Sequence, residues 1–521
     1  MVGLVPPAPP RLLTEFERHV RIPLVEGSTK DQTARVRLDT TSAWTAIEAR
    51  DARFDGVVFF GVTTTGIFCR PSCPARRPLQ RNVVLFPTPI AAQHAGFRAC
   101  KRCHPHEITG PLPVERRDAI GPAVLDLVRA GVVDREGVAG VARRLGYSER
   151  QLQRRTLDAL GATVVTLARA ERVRRATELL AHTAHSITEV AFMAGFGSVR
   201  QCNDTITAHL GCSPSALRAR GAAQGGANHL RLKLGFEPPL EVAGLLGHLV
   251  ATATPGVEAF SGSTYRRTMA TTRGTATIAL TFAEDHVELL AELEDTRDLA
   301  EVIAACRHLL DLDADPEAIT QHLCTDPALE NAVLAHPGRR LPGCTSAAEM
   351  VLRAVLGQQV STKAARTTAG RLAQALGNPT GRTDDLTHHF PTPAALAEAP
   401  DAVLRLPSSR SATLREVARL LASGALDLSA GADRDAARAK LLEVRGIGPW
   451  TVEVLALRGF GDPDVGLLGD LGVRQGAAAL GLEPPTLAER SAAWSPWRSY
   501  AVQYLWAATA HDATTDPRRT P

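Results

Sequence analysis

A chain of 521 residues is too long for one ordinary domain, and at roughly 100 to 200 residues per domain it should hold three to five. Hydrophobic content of 44% with 22% charged residues sets disorder aside, while a net charge of +4 says little about partners, so any nucleic-acid signal must come from local clustering. No apolar run approaches the roughly 18 residues that span a bilayer, and the start, MVGLVPPAPPRLL, has prolines where a signal peptide needs an unbroken apolar core. A cytoplasmic protein with no membrane partner is expected.

Residues 1–43 form a Pro-containing lead with no assigned function. A cysteine-bearing unit follows over 44–112, with short strand patterns in VVFFGV (57–62) and VVLF (83–86). Four of the nine cysteines lie within residues 69–103, and without a secretory signal they point to metal or thiol chemistry before disulfides. Three residues separate Cys69 from Cys73 and two separate Cys100 from Cys103, a spacing that suits paired ligands gripping a tetrahedral Zn2+. Its plainer reading is a zinc that only holds a small unit together. Seven basic residues (Arg70, Arg76, Arg77, Arg81, Arg98, Lys101, Arg102) and no acidic one surround this dianionic centre, as if it were built to lie on a phosphate backbone. Zinc also keeps a thiolate deprotonated and nucleophilic, so ligand and reagent both stay open at this point.

TTTGIFCRPSCPARRPLQRNV followed by AGFRACKRCHP resembles the N-terminal domain of the Ada family of alkylation-response proteins. The resemblance implies one zinc on Cys69, Cys73, Cys100 and Cys103. It also implies that Cys69 takes a methyl group from a methyl phosphotriester in DNA. DNA contacts carry over to Thr65, Arg76 and Arg98, with Lys101 and Arg102 in the same basic set, whereas a further basic contact of the family falls on Pro74. The resemblance further implies that the protein is consumed in this reaction, and that removing one negative charge from the centre tightens DNA binding and so turns repair into a signal.

Residues 113–220 become helical and Arg-rich. GVAGVARRLGYSERQLQRRTLDAL (137–160) reads as two helices about a turn at Gly146, with Ser148 as cap and Gln151 three positions on. A second copy starts at Ser186, with Gly195 in the turn and Ser198 as cap. The two copies, joined by an Arg-rich helix (169–181), resemble the AraC-type DNA-binding domain, whose closing pattern matches Gly211, Pro214 and Arg218. Recognition helices are then expected at 148–159 and 198–209. Arg150, Gln151, Arg154 and Arg155 are the candidate contacts of the first, while Cys202 and Asp204 make the second a poorer reader.

GAAQGGAN (221–228) reads as a linker between two halves. After it, HLRLKL, TATIALTF and HVELLAEL alternate as strands around the helical EVAGLLGHLVATA, giving an α+β subdomain over 229–343; an all-α region covers 344–512 and a tail 513–521. In LLEVRGIGPWTVEVLALRG (441–459) a tight turn is followed by a helix opened by Pro449; Gly446 and Gly448 let amides approach a phosphate. This is the pattern of the helix-hairpin-helix DNA glycosylases. RAVLGQQVS (353–361), the hairpin, Asp470 in LLGDLGVRQ and WSPWRSYA (494–501) resemble the AlkA-type enzymes that remove alkylated bases, over roughly 229–510.

That resemblance implies Asp470 as the catalytic carboxylate and Gln359 as a wedge in the gap left by a flipped base. Trp450, Trp494 and Trp497 are then aromatic faces for a cationic base, with Trp506 assigned to core packing. Trp450 stands where bifunctional relatives carry a Schiff-base lysine, which implies a monofunctional enzyme; no cysteine follows Cys344, so no iron-sulfur cluster is expected. A monovalent cation at the hairpin and RNA polymerase beside double-stranded DNA complete the implied partners, with a nucleoid-associated location. The expected whole is a multidomain, predominantly α protein with α+β parts: a small zinc domain, a double helix-turn-helix, and a glycosylase of α+β and all-α subdomains. The alternative is a methylation-responsive regulator whose glycosylase half only binds DNA.

Overall fold

The computed structural model describes residues 40–50, 58–86, 88–100, 102–103, 105, 120–183, 185–210, 212–219 and 229–515, and the chain divides into two compact units, 1–108 and 109–521. Lys101, residues 1–39 of the lead, residues 106–119 and the linker 221–228 lie outside the described residues. None of the described helices is long and apolar enough to cross a membrane.

In the first unit β1 (Phe59–Val62), β2 (Ile67–Cys69), β3 (Val83–Phe86) and β4 (Arg98–Ala99) form a sheet of order β3-β1-β2-β4. The two-residue alternation of strands sorts the side chains by face. Phe59, Phe68, Phe86 and Phe97 pack with Ala91 and Ala92 on one face, while Phe60 and the four cysteines share the other with Ile47. Phe68 and Cys69, neighbours in sequence, therefore serve different cores.

Among the described residues the second unit begins with seven helices: Ile120–Arg129, Val132–Arg144, Glu149–Leu160, Val164–His182, Ile187–Met193, Val199–Leu210 and Pro214–Arg218. Ser148 and Gln151 form the expected capping box at the start of the third. Several arginines of the long fourth helix are spent internally. Asp134 accepts from Arg172 (2.7 Å) and from the buried Arg175 (2.6 Å), and Arg174 bridges Glu171 and Glu178.

Beyond the linker, β5 (His229–Gly235), β6 (Glu258–Ser261), β7 (Thr264–Thr271), β8 (Gly274–Phe282) and β9 (His286–Leu293) make an antiparallel sheet of order β5-β9-β8-β7-β6. Helices from Leu299 to Thr515 complete the unit. The pieces on either side of the linker share one hydrophobic core: Val173, Ala176, Leu179, Leu180 and Ile206 cluster with Leu230, Leu232, Leu299 and Val302. Polar contacts add to it, with Arg129 bridging to Asp313 and Arg144 Nη1 donating to Ser429 Oγ at 3.0 Å. A Cβ added at Gly431 would lie 2.5 Å from the Leu127 side chain.

Apolar burial on this scale, at about 25 cal/mol per Å2, outweighs the loss of one covalent tether. Cutting a protease site placed within 221–228 is therefore expected to leave the two fragments co-eluting on size exclusion at micromolar concentration.

Candidate functional site

All four sulfurs of Cys69, Cys73, Cys100 and Cys103 lie within 4.8 Å of one another, and each residue is buried. Zn–S bonds of about 2.3 Å at tetrahedral angles place sulfurs about 3.8 Å apart, and Cys73 Sγ lies 3.9 Å from Cys100 Sγ. Burial pushes the Cys73 thiol up to about 11. A hydrogen bond between Cys69 and Cys103 raises the first thiol and pulls the second down to about 5. Four sulfurs this close repel one another as thiolates unless a dication sits among them, so the donor set fits zinc.

The Arg102 amide donates to Cys100 Sγ at 3.5 Å, a backbone bond of the kind that orients a metal ligand. Of the expected DNA contacts, Thr65, Arg76, Arg98 and Arg102 are exposed, and the Arg98 amide donates to Gly66 O at 2.7 Å, which sets Arg98 beside the turn that carries Thr65.

On the helix Glu149–Leu160, Arg150, Gln151 and Arg154 face solvent. Gln151 Oε1 accepts from the Ser148 amide at 3.1 Å, and Arg155 stacks on Tyr147 with its guanidinium carbon 4.8 Å from the ring centroid. In the second copy Cys202 is fully buried, and Asp204 pairs with Arg200 at 3.7 Å.

The hairpin lies between the helices Arg434–Leu442 and Pro449–Val454, the latter continued by one π turn, Leu455–Gly459. Gly446 has φ +92°, and a Cβ there would fall 2.3 Å from Thr413 Oγ1. Both effects predict that Gly446→Ala costs about 1–3 kcal/mol and weakens DNA binding, read by thermal unfolding and by titration with duplex DNA.

The hairpin carbonyls are in use: Arg445 O accepts from Thr413 Oγ1 (2.8 Å) and Gly446 O from Gln358 Nε2 (2.9 Å). Gln358 Nε2 also donates to Thr451 Oγ1, so it ties the helix Ala347–Gly357 to the hairpin. The next residue, Gln359, is exposed at φ +57°, a left-handed conformation that a non-glycine residue adopts only when its surroundings impose it.

Asp470 caps the helix Leu471–Ala479. Its Oδ1 accepts from the Val473 amide (2.9 Å) and from Trp506 Nε1 (2.8 Å), while Oδ2 accepts from Trp450 Nε1 (2.9 Å). Donors on both oxygens suit the ionised form, which accepts only. Trp506 packs against the core as expected, but its indole also meets the carboxylate beside Trp450, 36 residues along the chain from Asp470.

Trp494 and Trp497, by contrast, are corrections. At 2% and 4% exposed they are core residues, with Trp494 Nε1 bonded to Asp326 (2.8 Å) and Trp497 edge-on to Tyr500. Both belong to the buried core cluster, so neither presents a free ring face to a base. Trp494→Phe should therefore lower stability by about 1–3 kcal/mol, through the orphaned Asp326 oxygen, without changing which bases are released; melting and product analysis check this.

The metal binding domain of Ada matches residues 42–106, a helix-turn-helix domain 141–220, the AlkA N-terminal domain 231–346, and the HhH-GPD superfamily of base excision DNA repair proteins 352–498. The E. coli (strain K12) DNA-3-methyladenine glycosylase 2 is 35% identical over 282 residues, 52% of this chain and 95% of that protein. The E. coli bifunctional transcriptional activator/DNA repair enzyme Ada is 38% identical over 153 residues, 29% of this chain and 42% of that protein. A probable bifunctional transcriptional activator/DNA repair enzyme AlkA of Mycobacterium tuberculosis (strain H37Rv) is 46% identical over 487 residues, 92% of this chain and 98% of that protein. The four-cysteine cluster is accordingly a zinc site, the C-terminal half is a DNA glycosylase, and the chain belongs to the family of these bifunctional transcriptional activator/DNA repair enzymes.

Proposed function

We propose that this chain performs two repair reactions on alkylated DNA and couples one of them to transcription. The C-terminal half hydrolyses the N-glycosidic bond of bases of the 3-methyladenine and 7-methylguanine class. Such a base already carries positive charge, so departure needs little acid catalysis once it is flipped from the stack. Ionised Asp470 stabilises the oxocarbenium-like sugar and directs water to it. Gln359 fills the gap in the duplex, and the amides about Gly446 and Gly448 take a phosphate. Trp450 offers no amine for a Schiff base, which makes the enzyme monofunctional.

At the N-terminal unit, Cys69 Sγ attacks the methyl carbon of a methyl phosphotriester. The S–C bond forms, the C–O bond breaks, and the phosphodiester leaves as an anion with no proton transferred. Zinc, when bound, would keep the Cys69 thiolate ionised, and the four-cysteine centre carries one negative charge fewer once that sulfur is methylated. Thr65, Arg76, Arg98, Lys101 and Arg102 hold the backbone meanwhile, and weaker repulsion from phosphates then brings Arg150, Gln151 and Arg154 to promoter DNA near RNA polymerase.

The observation that carries this reading is the pair of indole donors fixing both oxygens of Asp470 beside the hairpin. DNA treated with a methyl-labelled alkylating agent tests it, with released bases and protein-bound methyl scored separately. Folded protein that frees no base supports the alternative in which this half only binds DNA, and protein that takes no label leaves the zinc purely structural.

A further inference from the structure

Arg458 lies in the π turn Leu455–Gly459 and is 6% exposed. A buried guanidinium ordinarily has a carboxylate partner, yet among the described residues none lies within 4 Å of this one. Its acceptors are Pro342 O (2.7 Å) and Gln503 Oε1 (3.4 Å), and its guanidinium carbon sits 5.0 Å from the centroid of the Trp506 ring. The same indole donates to Asp470 Oδ1 at 2.8 Å. Cation, ring and carboxylate thus form a chain in which the ring is held from one face and aims its N–H at the anion. The π turn is a reason for this geometry: one turn of wider winding rotates the side chains that follow it, and such turns recur at functional sites.

We infer that Arg458 is a positioning residue of the glycosylase, which clamps Trp506 by stacking and through that indole fixes Asp470. The cation is retained at a cost, since burial drags its pKa down to about 9. This role rests on the one proposed for Asp470. It differs from packing in a measurable way, because a clamp that works through the Trp506 N–H loses its effect when that N–H is gone.

The test is a double-mutant cycle on the full-length protein, read as single-turnover release of 7-methylguanine from alkylated duplex. Arg458→Lys keeps the charge and a donor for Pro342 O but loses the planar stack, so the fold is retained. It is expected to lower the rate about tenfold with DNA affinity within twofold. In a Trp506→Phe background, which keeps the ring and removes the donor, the same change should alter the rate less than twofold. Arg458→Gln, which removes the charge, should show the same dependence on background. Equal tenfold losses in both backgrounds, or an unchanged rate for Arg458→Lys, overturn the clamp. Asp470→Asn is run alongside: if it retains the wild-type rate, the role of Asp470 fails as well, whereas its loss with an additive cycle rejects the clamp alone.

Discussion

Asp470→Asn is expected to reduce base release by about 10³-fold while the protein stays folded. Asparagine caps helices as well as aspartate does, so the bond from the Val473 amide, and with it the helix Leu471–Ala479, should persist. What changes is the charge and one acceptor. An amide offers a single carbonyl oxygen, whereas Trp450 and Trp506 donate to different oxygens of the native group. One indole N–H must then face an NH2, which costs about 1–3 kcal/mol in stability. The much larger effect falls on the transition state, whose positive charge has lost its counter-ion. Single-turnover kinetics on alkylated duplex and thermal unfolding separate the two; a variant that melts normally yet retains more than a tenth of the wild-type rate would show that another group serves this role.

Cys69→Ala should abolish uptake of methyl label from phosphotriester DNA and leave base release unaffected, since the two sites belong to separate compact units. The same change takes one of four thiolates from the zinc. Structural zinc contributes on the order of 10 kcal/mol to small domains, so the melting transition of the first unit should fall steeply while that of the second stays. Because loss of any ligand could remove label indirectly, the deciding measurement is peptide mass mapping of the wild-type protein after reaction. Methyl on Cys69 alone identifies the nucleophile, and methyl on Cys73, Cys100 or Cys103 rejects the assignment.

What was readable from sequence followed local chemistry. The cysteine spacing leads to four sulfurs within 4.8 Å, and Ser148 with Gln151 forms a capping box, because these signals span few residues and need no knowledge of packing. Strand β7 is harder to read: TYRRTMAT carries Arg267, which breaks an apolar alternation, and its burial at 2% exposure makes sense only with Glu258 and Glu349 supplied by other elements. The tryptophans failed for the same reason. Nothing local distinguishes Trp494, bonded to the distant Asp326, from Trp506, bonded to Asp470. The only signal for Trp506 was its place in the aromatic run that follows WSPWRSYA. Gln358 was passed over for its neighbour Gln359, although its bond to Gly446 O is what ties that loop to the hairpin.

The core shared across the linker has a further consequence. An enzyme hung from a DNA-bound regulator by a flexible tether would sweep a sphere and could reach many base pairs. Here Leu179 and Leu180 are welded to Leu230 and Leu232, so the regulator and the enzyme turn as one object. With the helix Glu149–Leu160 seated in a groove as proposed, the Asp470 site would face a fixed direction, and the positions it could visit would recur with the helical phase of the duplex, about every 10 base pairs. Promoter occupancy and free repair then compete for the same molecules, and a chain engaged in one is withdrawn from the other.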